Sequence, residues 1–184
     1  YLYSPTGNLT ARYDKVQLVP FGEYVPAPFA FVTKVSSETG DFVPGRDLTL
    51  LTAGDRAVGV FICYEAVFPH LVRRFAAAGA QLFVNLSNDG WFGRTAARDQ
   101  HLKIARMRAA ENRRWLLRAT NDGVTATIDP AGRFARLLAP FTQAAAQTTF
   151  AYSSVLTPYT RFGDWFVWLC ALAALVALLQ PCLI

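Results

Sequence analysis

Cys63 is the residue whose type and position most favour nucleophilic chemistry in this sequence. It follows the apolar run 57–62 and precedes a helical pattern that begins at Glu65, so the thiol lies where a strand meets a helix. Backbone N–H groups at the start of a helix favour a thiolate and can bind the oxyanion of an attacked carbonyl. We therefore take Cys63 as the candidate nucleophile, although an isolated cysteine is more often an inert buried residue.

The two histidines do not supply an obvious base for this thiol. His70 lies about two helical turns beyond Cys63, so it should point away from the start of that helix. His101 lies within a long helical pattern, and Asp99 stands at a spacing that does not bring two helical side chains face to face. The sequence therefore disfavours a Cys-His pair and predicts solvated or core-edge histidines.

Lys15 offers a different partner for the thiol, in the segment Y-D-K-V-Q-L-V-P-F-G-E that starts at Tyr13. A lysine ammonium can stabilise a tetrahedral oxyanion and favour a thiolate. Taken alone, Lys15, Glu23 and Glu65 are each more often surface charges. Only their combination with Cys63 favours a catalytic role.

The elements around Cys63 predict an α/β fold. Strand 57–62, helix 65–78 and strand 81–86 form a βαβ unit with parallel strands. Chemistry in such sheets gathers at the carboxyl ends of the strands, so Cys63 and the loop 87–93 should share one rim. The other predicted elements are a hairpin of strands 48–52 and 57–62 turning at Gly54, a long helix and three later strands, at 96–113, 115–120, 124–128 and 133–138.

Composition excludes several classes of protein. Hydrophobic residues are 53% and charged residues 17% of the 184, which excludes a disordered chain and a coiled coil. The net charge is +5, but no nucleic-acid motif accompanies the arginines, so we expect no nucleic-acid partner. The three cysteines show no C-x-x-C spacing, and we expect no metal and no cofactor.

The apolar excess is concentrated at the C-terminal end. No charged residue follows Asp164, and the run W-F-V-W-L-C-A-L-A-A-L-V-A-L-L begins at Trp165. Such a run with tryptophans at its start favours a membrane helix, although a buried core helix is the alternative because the strictly apolar part is short. We place a domain boundary here, with a catalytic domain at 1–160 and a transmembrane helix at 161–184.

Three motifs together resemble the nitrilase, or carbon–nitrogen hydrolase, superfamily. They are Y-D-K-V-Q-L-V-P-F-G-E-Y-V-P at 13–26, F-I-C-Y-E at 61–65 and N-L-S-N-D-G-W-F-G at 85–93. Three more motifs narrow the resemblance to the apolipoprotein N-acyltransferase family. They are A-R-M-R-A-A-E-N-R-R at 105–114, R-A-T-N-D-G-V-T-A at 118–126 and L-T-P-Y-T-R-F-G-D-W at 156–165. The resemblance covers nearly the whole chain.

The resemblance implies a nitrilase-like α-β-β-α sandwich, incomplete at its N-terminal side, followed by one C-terminal transmembrane helix. It implies a membrane-bound acyltransferase of the bacterial inner membrane, multi-pass when intact, with its catalytic domain on the periplasmic side. A phospholipid would donate a fatty acyl chain to a cysteine thioester. The acceptor would be the N-terminal diacylglyceryl-cysteine of an apolipoprotein, in the last step of lipoprotein maturation.

The resemblance also assigns residues. Cys63 would be the nucleophile and Lys15 would stabilise the oxyanion. Glu23, Tyr64, Glu65 and Trp91 would support the site, with Trp91 near an acyl pocket. A lipid-sized groove at this rim would be lined by aromatic side chains, for which the candidates are Phe21, Tyr24, Phe29, Phe31, Trp91 and Phe92.

One feature departs from the family pattern. The general-base glutamate of the family lies well upstream of its lysine, and residues 1–14 contain no glutamate. We therefore expect that this chain is a C-terminal fragment, cut in mid-domain, and that it is inactive by itself. The alternatives are a membrane-anchored amidase of the same superfamily and a non-catalytic, membrane-tethered paralogue.

Overall fold

The computed structural model describes residues 1–27, 29 and 42–179. Within these ranges a two-stranded hairpin, β1 and β2, precedes a six-stranded mixed sheet in the order β3-β4-β5-β6-β7-β8. The strands are Leu2–Tyr3, Leu9–Ala11, Leu51–Ala53, Arg56–Ile62, Leu82–Ser87, Leu116–Thr120, Thr125–Ile128 and Phe134–Leu138. The helices are α1 Pro69–Ala77, α2 Ala97–Asn112, α3 Pro158–Phe162 and α4 Trp165–Leu179.

The centre of the sheet follows the predicted βαβ unit. β4 pairs with β5 in parallel, with Val58 opposite Leu82 and Ile62 opposite Leu86. The β3–β4 hairpin turns at Gly54, whose φ of +64° is a conformation that glycine adopts without steric cost. β6 continues the parallel part of the sheet, and β7 and β8 close it as an antiparallel meander.

The single helix predicted over 65–78 is divided in two. A 3₁₀ helix covers Cys63–Val67, and α1 begins only at Pro69. The proline ring excludes the α conformation from the residue before it, so Phe68 is extended, at φ −97° and ψ 95°. The interruption leaves Cys63 at the start of a short helix of its own, directly after β4.

The hydrophobic core lies between one face of the sheet and helices α1 and α2. Phe61, Phe83, Leu116 and Ile128 on the sheet are fully buried, together with Phe75 of α1 and other helical side chains. The opposite face of the sheet is less covered, and Leu86 is 45% exposed there. These layers agree with an α/β fold, but the described residues do not show the second large sheet of the expected α-β-β-α sandwich. The described residues form one large sheet with helices on one face.

The end of α2 is bonded to α3. The Thr157 hydroxyl caps the N-terminus of α3 and donates a hydrogen bond to the carbonyl oxygen of Glu111, 2.7 Å away. Thr160, which is 1% exposed, donates from its hydroxyl to Oδ1 of Asn112 at 3.0 Å. Gly163 and Asp164 alone separate α3 from α4, so α4 starts close to the C-terminal end of α2.

The apolar C-terminal run is helical, as predicted, and forms α4. All 15 residues of α4 lie outside the core, and none of them is buried. Over the part of the chain that the structure describes, no helix has both the length and the apolar character of a membrane span. Residues 180–184, which complete the predicted segment 161–184, lie outside the described residues.

Candidate active site

Cys63 lies at the carboxyl end of β4 in a strained backbone conformation. Its φ is +51°, which a non-glycine residue adopts at a cost of about 1–2 kcal/mol. Strain of this kind is found where surrounding contacts hold a functional residue in place. The residue is partly exposed, and it lines a cavity.

The cavity at Cys63 has a volume of about 340 Å³. This volume lies at the lower end of the ~300–1,000 Å³ typical of small-molecule sites. Its walls are mostly apolar or aromatic, and they come from the loop after Lys15, the rim of the sheet and α2. The lining residues are Val19, Gly22, Glu23, Cys63, Tyr64, Val67, Asn88, Trp91, Phe92, Ala97, Gln100, His101 and Ile104. The prediction that Cys63 and the loop 87–93 share one rim is therefore confirmed.

Lys15 and Glu23 form an ion pair beside this cavity. The Lys15 ammonium donates to both carboxylate oxygens of Glu23, at 2.6 and 2.7 Å, and the lysine side chain is only 10% exposed. Glu23 also accepts a hydrogen bond from the backbone N–H of Val19. Glu23 itself lines the cavity with Cys63, so the pair joins the lysine to the nucleophile's surroundings.

Glu65 is buried and joins two segments of the chain. Its Oε1 accepts hydrogen bonds from the Tyr13 hydroxyl and from the backbone N–H groups of Val16 and Gln17. Its Oε2 accepts from the backbone N–H of Ile62, at 2.6 Å. Burial raises the pKa of Tyr13, and the neighbouring charge of Glu65 raises it further, so the tyrosine stays a donor. Glu65 is thus fully buried, whereas the sequence alone suggested a surface carboxylate.

A buried network that the sequence did not predict lies on the other side of Cys63. Nε2 of His101 lies 3.0 Å from the carbonyl oxygen of Cys63, and Nδ1 lies 3.1 Å from Oδ1 of Asp89. Arg118 binds Oδ2 of Asp89 at 2.7 Å and the side chain of Asn85. Asn85 and Asp89 belong to one motif, but His101 and Arg118 come from other parts of the sequence, so only the fold brings the four residues together.

The charges of this network stabilise each other. Burial would raise the pKa of Asp89, but the hydrogen bond with His101 and the charge of Arg118 outweigh it and lower the pKa to about 2. Burial lowers the pKa of Arg118, while the charge of Asp89 raises it. The pair therefore consists of a carboxylate and a guanidinium, both nearly excluded from solvent.

The two N-D-G triplets of the sequence meet in this region. The backbone N–H of Asp89 donates to Oδ1 of Asn121, and Nδ2 of Asn121 donates to Oδ1 of Asn88. A Cβ atom at Gly123 would overlap the carboxylate of Asp89, so this close approach requires glycine. The loop 87–93 is thus held by the turn after β6.

The aromatic candidates divide into two groups. Tyr64, Trp91 and Phe92 line the cavity, and Trp91 is 69% exposed at its edge. The other described aromatic candidates are absent from the lining, and Phe21 and Phe29 instead contact each other with ring centroids 5.5 Å apart. Phe31 lies outside the described residues.

The described residues contain no group of three His, Cys, Asp or Glu side chains arranged to hold a metal ion. The polar groups near the cavity instead form the two clusters above. One is the Lys15–Glu23 pair and the other surrounds Asp89. A partly exposed thiol at the end of a strand can attack a carbonyl carbon, and a nearby ammonium or backbone N–H group can stabilise the resulting oxyanion.

Comparison with known proteins identifies related sequences. A family model described as carbon–nitrogen hydrolase matches residues 1–155. The apolipoprotein N-acyltransferase of Geobacter metallireducens is 42% identical over 178 residues, covering 96% of this chain and 34% of that protein. The enzyme of the same name from Pseudomonas putida is 40% identical over 164 residues, covering 87% of this chain and 32% of the relative. The chain thus spans about a third of the length of these curated relatives.

Solved structures of an amidase from Nesterenkonia sp. AN1 have a similar fold. One variant, with the acetamide moiety of fluoroacetamide covalently added at the active site cysteine, matches with a TM-score of 0.54 and 28% identity. The match covers 75% of this chain and 49% of the amidase. A cysteine-to-alanine variant of that amidase, described as belonging to the nitrilase superfamily, has a TM-score of 0.52, with 28% identity over 73% of this chain and 48% of its own.

Proposed function

This chain belongs to the carbon–nitrogen hydrolase family, and we propose that it is the catalytic part of a membrane-bound N-acyltransferase. The acyl donor is a phospholipid, and the acceptor is the amino group of the N-terminal diacylglyceryl-cysteine of an apolipoprotein. One observation carries the proposal: relatives named apolipoprotein N-acyltransferase are about 40% identical over most of this chain. The apolar cavity at Cys63 supports it, because an acyl chain needs apolar walls.

The chemistry proceeds in two balanced steps. The sulfur of Cys63 forms a bond to the acyl carbonyl carbon, and the lysophospholipid leaves with a proton on its hydroxyl oxygen. The amino nitrogen of the acceptor then bonds to the same carbon, the sulfur leaves, and a proton from the nitrogen restores the thiol. Both steps pass through a tetrahedral oxyanion, which the Lys15 ammonium stabilises.

We assign a separate supporting role to each of Glu23, Tyr64, Glu65 and Trp91. Glu23 fixes the Lys15 ammonium by its two short hydrogen bonds. Glu65 holds the Lys15 segment against the end of β4. Tyr64 and Trp91 line the cavity with aromatic rings, which would contact the acyl chain.

We propose that α4 lies in the bilayer of the bacterial inner membrane, with the catalytic domain on the periplasmic side. α4 is apolar all round, and every one of its side chains is accessible. A helix of this kind finds its apolar surroundings in lipid or against other membrane helices. The 15 residues extend about 22 Å, so the described helix covers much of a ~30 Å hydrocarbon core.

A second candidate is a membrane-anchored amidase, which the likeness to the Nesterenkonia amidase favours. The two activities differ in the second acceptor, which is water for an amidase and an amine for an acyltransferase. A third candidate, a non-catalytic paralogue, predicts either that Cys63 and Lys15 lie far apart or that Cys63 is sealed in apolar packing. The partial exposure of Cys63 and its place on the cavity argue against it.

The deciding experiment uses the full-length protein in membranes with a fluorescent phospholipid. We expect a fluorescent acyl-enzyme that hydroxylamine releases and that Cys63→Ser abolishes. Cys170→Ser is the matched control, because Cys170 is exposed on α4 and should not affect labelling. Transfer of the label to a diacylglyceryl-cysteine peptide supports the acyltransferase, whereas release as free fatty acid or hydrolysis of small amides supports the amidase.

We further propose that these 184 residues alone do not complete the reaction. The reaction of the family that this chain resembles uses a general-base glutamate upstream of the lysine, and residues 1–14 contain no glutamate. The same membrane assay on the 184-residue chain should therefore give no acyl-enzyme. A Cys63-dependent thioester formed at the full-length rate would refute this requirement.

A further inference from the structure

The strained backbone of Cys63 is held by one side chain from α2. Nε2 of His101 lies 3.0 Å from the carbonyl oxygen of Cys63. A carbonyl oxygen only accepts hydrogen bonds, so Nε2 must carry a proton and donate it. Cys63 has a positive φ although it is not a glycine, which costs conformational free energy. The hydrogen bond from His101 offsets part of this cost.

The opposite edge of the His101 ring is also fixed. Nδ1 lies 3.1 Å from Oδ1 of Asp89 and 3.2 Å from Nη2 of Arg118. It donates to the carboxylate when protonated and accepts from the guanidinium when neutral, so the ring keeps one orientation in both states. His101 is 4% exposed and Asp89 is 1% exposed, which leaves the ring little room to rotate.

Fixing the orientation of the Cys63 carbonyl group also fixes the orientation of the Tyr64 N–H group. A peptide group is planar, and its C=O and N–H point in opposite directions. The hydrogen bond from His101 therefore sets the direction of the Tyr64 N–H and, through the backbone, the position of the Cys63 side chain. Displacements of about 1 Å at a reacting centre cost roughly 100-fold in rate.

We propose that His101 is a positioning residue, which donates from Nε2 to the Cys63 carbonyl and holds the nucleophile in its left-handed conformation at the cavity. Asp89 and Arg118 orient His101 in turn. The proposal rests on Cys63 being the nucleophile, as the proposed function states. His101 acts on the backbone of Cys63, and in this role it takes no proton from the thiol.

The test compares four variants of the full-length protein. His101→Leu removes the hydrogen-bond donor and places an apolar side chain of similar volume in the cavity wall. His101→Gln places an amide N–H near the position of Nε2, whereas the shorter His101→Asn cannot reach the Cys63 carbonyl. His70→Leu is the matched control, because His70 is exposed on α1 and outside the cavity lining.

Two rates are measured for each variant. The first is alkylation of Cys63 by iodoacetamide, followed by peptide mass spectrometry, with the wild-type rate as the reference. The second is acyl-enzyme formation against phospholipid concentration, which separates the maximal rate from the half-saturating concentration. Thermal unfolding of each variant reports whether it is folded.

We expect His101→Leu and His101→Asn to lower both the alkylation rate and the maximal acylation rate by about 10-fold or more, with an unchanged half-saturating concentration. His101→Gln and His70→Leu should stay near the wild-type values. Equal rates for the Gln and Asn variants, or wild-type alkylation in His101→Leu, would overturn the positioning role. The expected alkylation pattern without any thioester from phospholipid would uphold the positioning role and refute the acyl-transfer proposal.

Discussion

The carboxylate of Glu65 lies 2.7 Å from the backbone nitrogen of Val16, the residue that follows Lys15. The other oxygen of the same carboxylate accepts from the N–H of Ile62, the residue that precedes Cys63. One buried side chain thus joins the backbone beside the lysine to the backbone beside the nucleophile. The carboxylate therefore contributes to the relative position of these two segments.

Glu65→Gln should destabilise the protein and reduce acyl-enzyme formation. The amide keeps one acceptor oxygen, so at least one buried N–H loses its partner, at a cost of about 1–3 kcal/mol. Urea unfolding of the variant measures this cost. Tyr13→Phe removes only one of the four donors and should cost about 1 kcal/mol. Equal stability of Glu65→Gln and wild type would contradict the linking role.

Lys15→Met should lower the rate of acyl-enzyme formation and leave the protein folded. The methionine keeps the length of the side chain but removes the charge that we propose stabilises the oxyanion, so we expect a loss of roughly 100- to 1,000-fold. Stopped-flow labelling with the fluorescent phospholipid measures the rate. Lys103→Met is the control, because Lys103 is exposed on α2, and its rate should equal the wild-type rate. A similar loss in both variants would point to a general charge effect.

Asp89 should contribute to stability above about pH 5 and lose that contribution as the pH falls toward 2. Its pKa is lowered from 3.8 to about 2 in the folded protein, so acid protonates the unfolded chain first and favours unfolding. The shift corresponds to about 2 kcal/mol. Urea unfolding at a series of pH values measures it.

Asp89→Asn should be less stable than wild type at neutral pH and should lose this part of the acid dependence. Asp99→Asn, a change at an exposed position of α2, should keep the wild-type pH dependence. The same acid-induced loss in Asp89→Asn and wild type would mean that another group causes it.

Leu172→Lys should weaken attachment to membranes. Leu172 lies in the middle of α4 and is 58% exposed. A lysine at the centre of a membrane helix costs about 3 kcal/mol of insertion free energy. Flotation of the 184-residue chain with phosphatidylglycerol vesicles measures the bound fraction, and Leu172→Phe is the apolar control. If α4 lies outside the bilayer, both variants will float to the same extent.

The sequence was sufficient to predict the local elements and the position of Cys63 at the end of a strand, whereas its role as nucleophile stays a prediction. The βαβ unit, the turn at Gly54 and the shared rim of Cys63 and loop 87–93 all depend on patterns within a few neighbouring residues. The predicted helix over 65–78 is wrong in its continuity, because Pro69 keeps Phe68 out of the α conformation. The roles of Lys15 and Glu23 rested on the family resemblance, and their ion pair is consistent with it.

The buried cluster of His101, Asp89 and Arg118 could not be predicted from the sequence, because its members come from three separate elements. Near His101 in sequence, Asp99 is an acid at a spacing that does not pair with it, so the sequence disfavours a Cys-His pair. The structure instead brings Asp89 to His101 from the loop after β5, with Arg118 from β6. A contact of this kind depends on strand order and on the approach of glycine 123, neither of which has a local signal.

The bonds of Thr157 and Thr160 to the end of α2 give the C-terminal helix a mechanical connection to the reacting sulfur. α2 carries His101 in its second turn, and its last residue is bonded to the segment that leads into α4. A tilt of α4 would therefore be passed along α2 to the backbone of Cys63. With α4 in a bilayer, as proposed above, this connection would make the position of Cys63 sensitive to bilayer thickness.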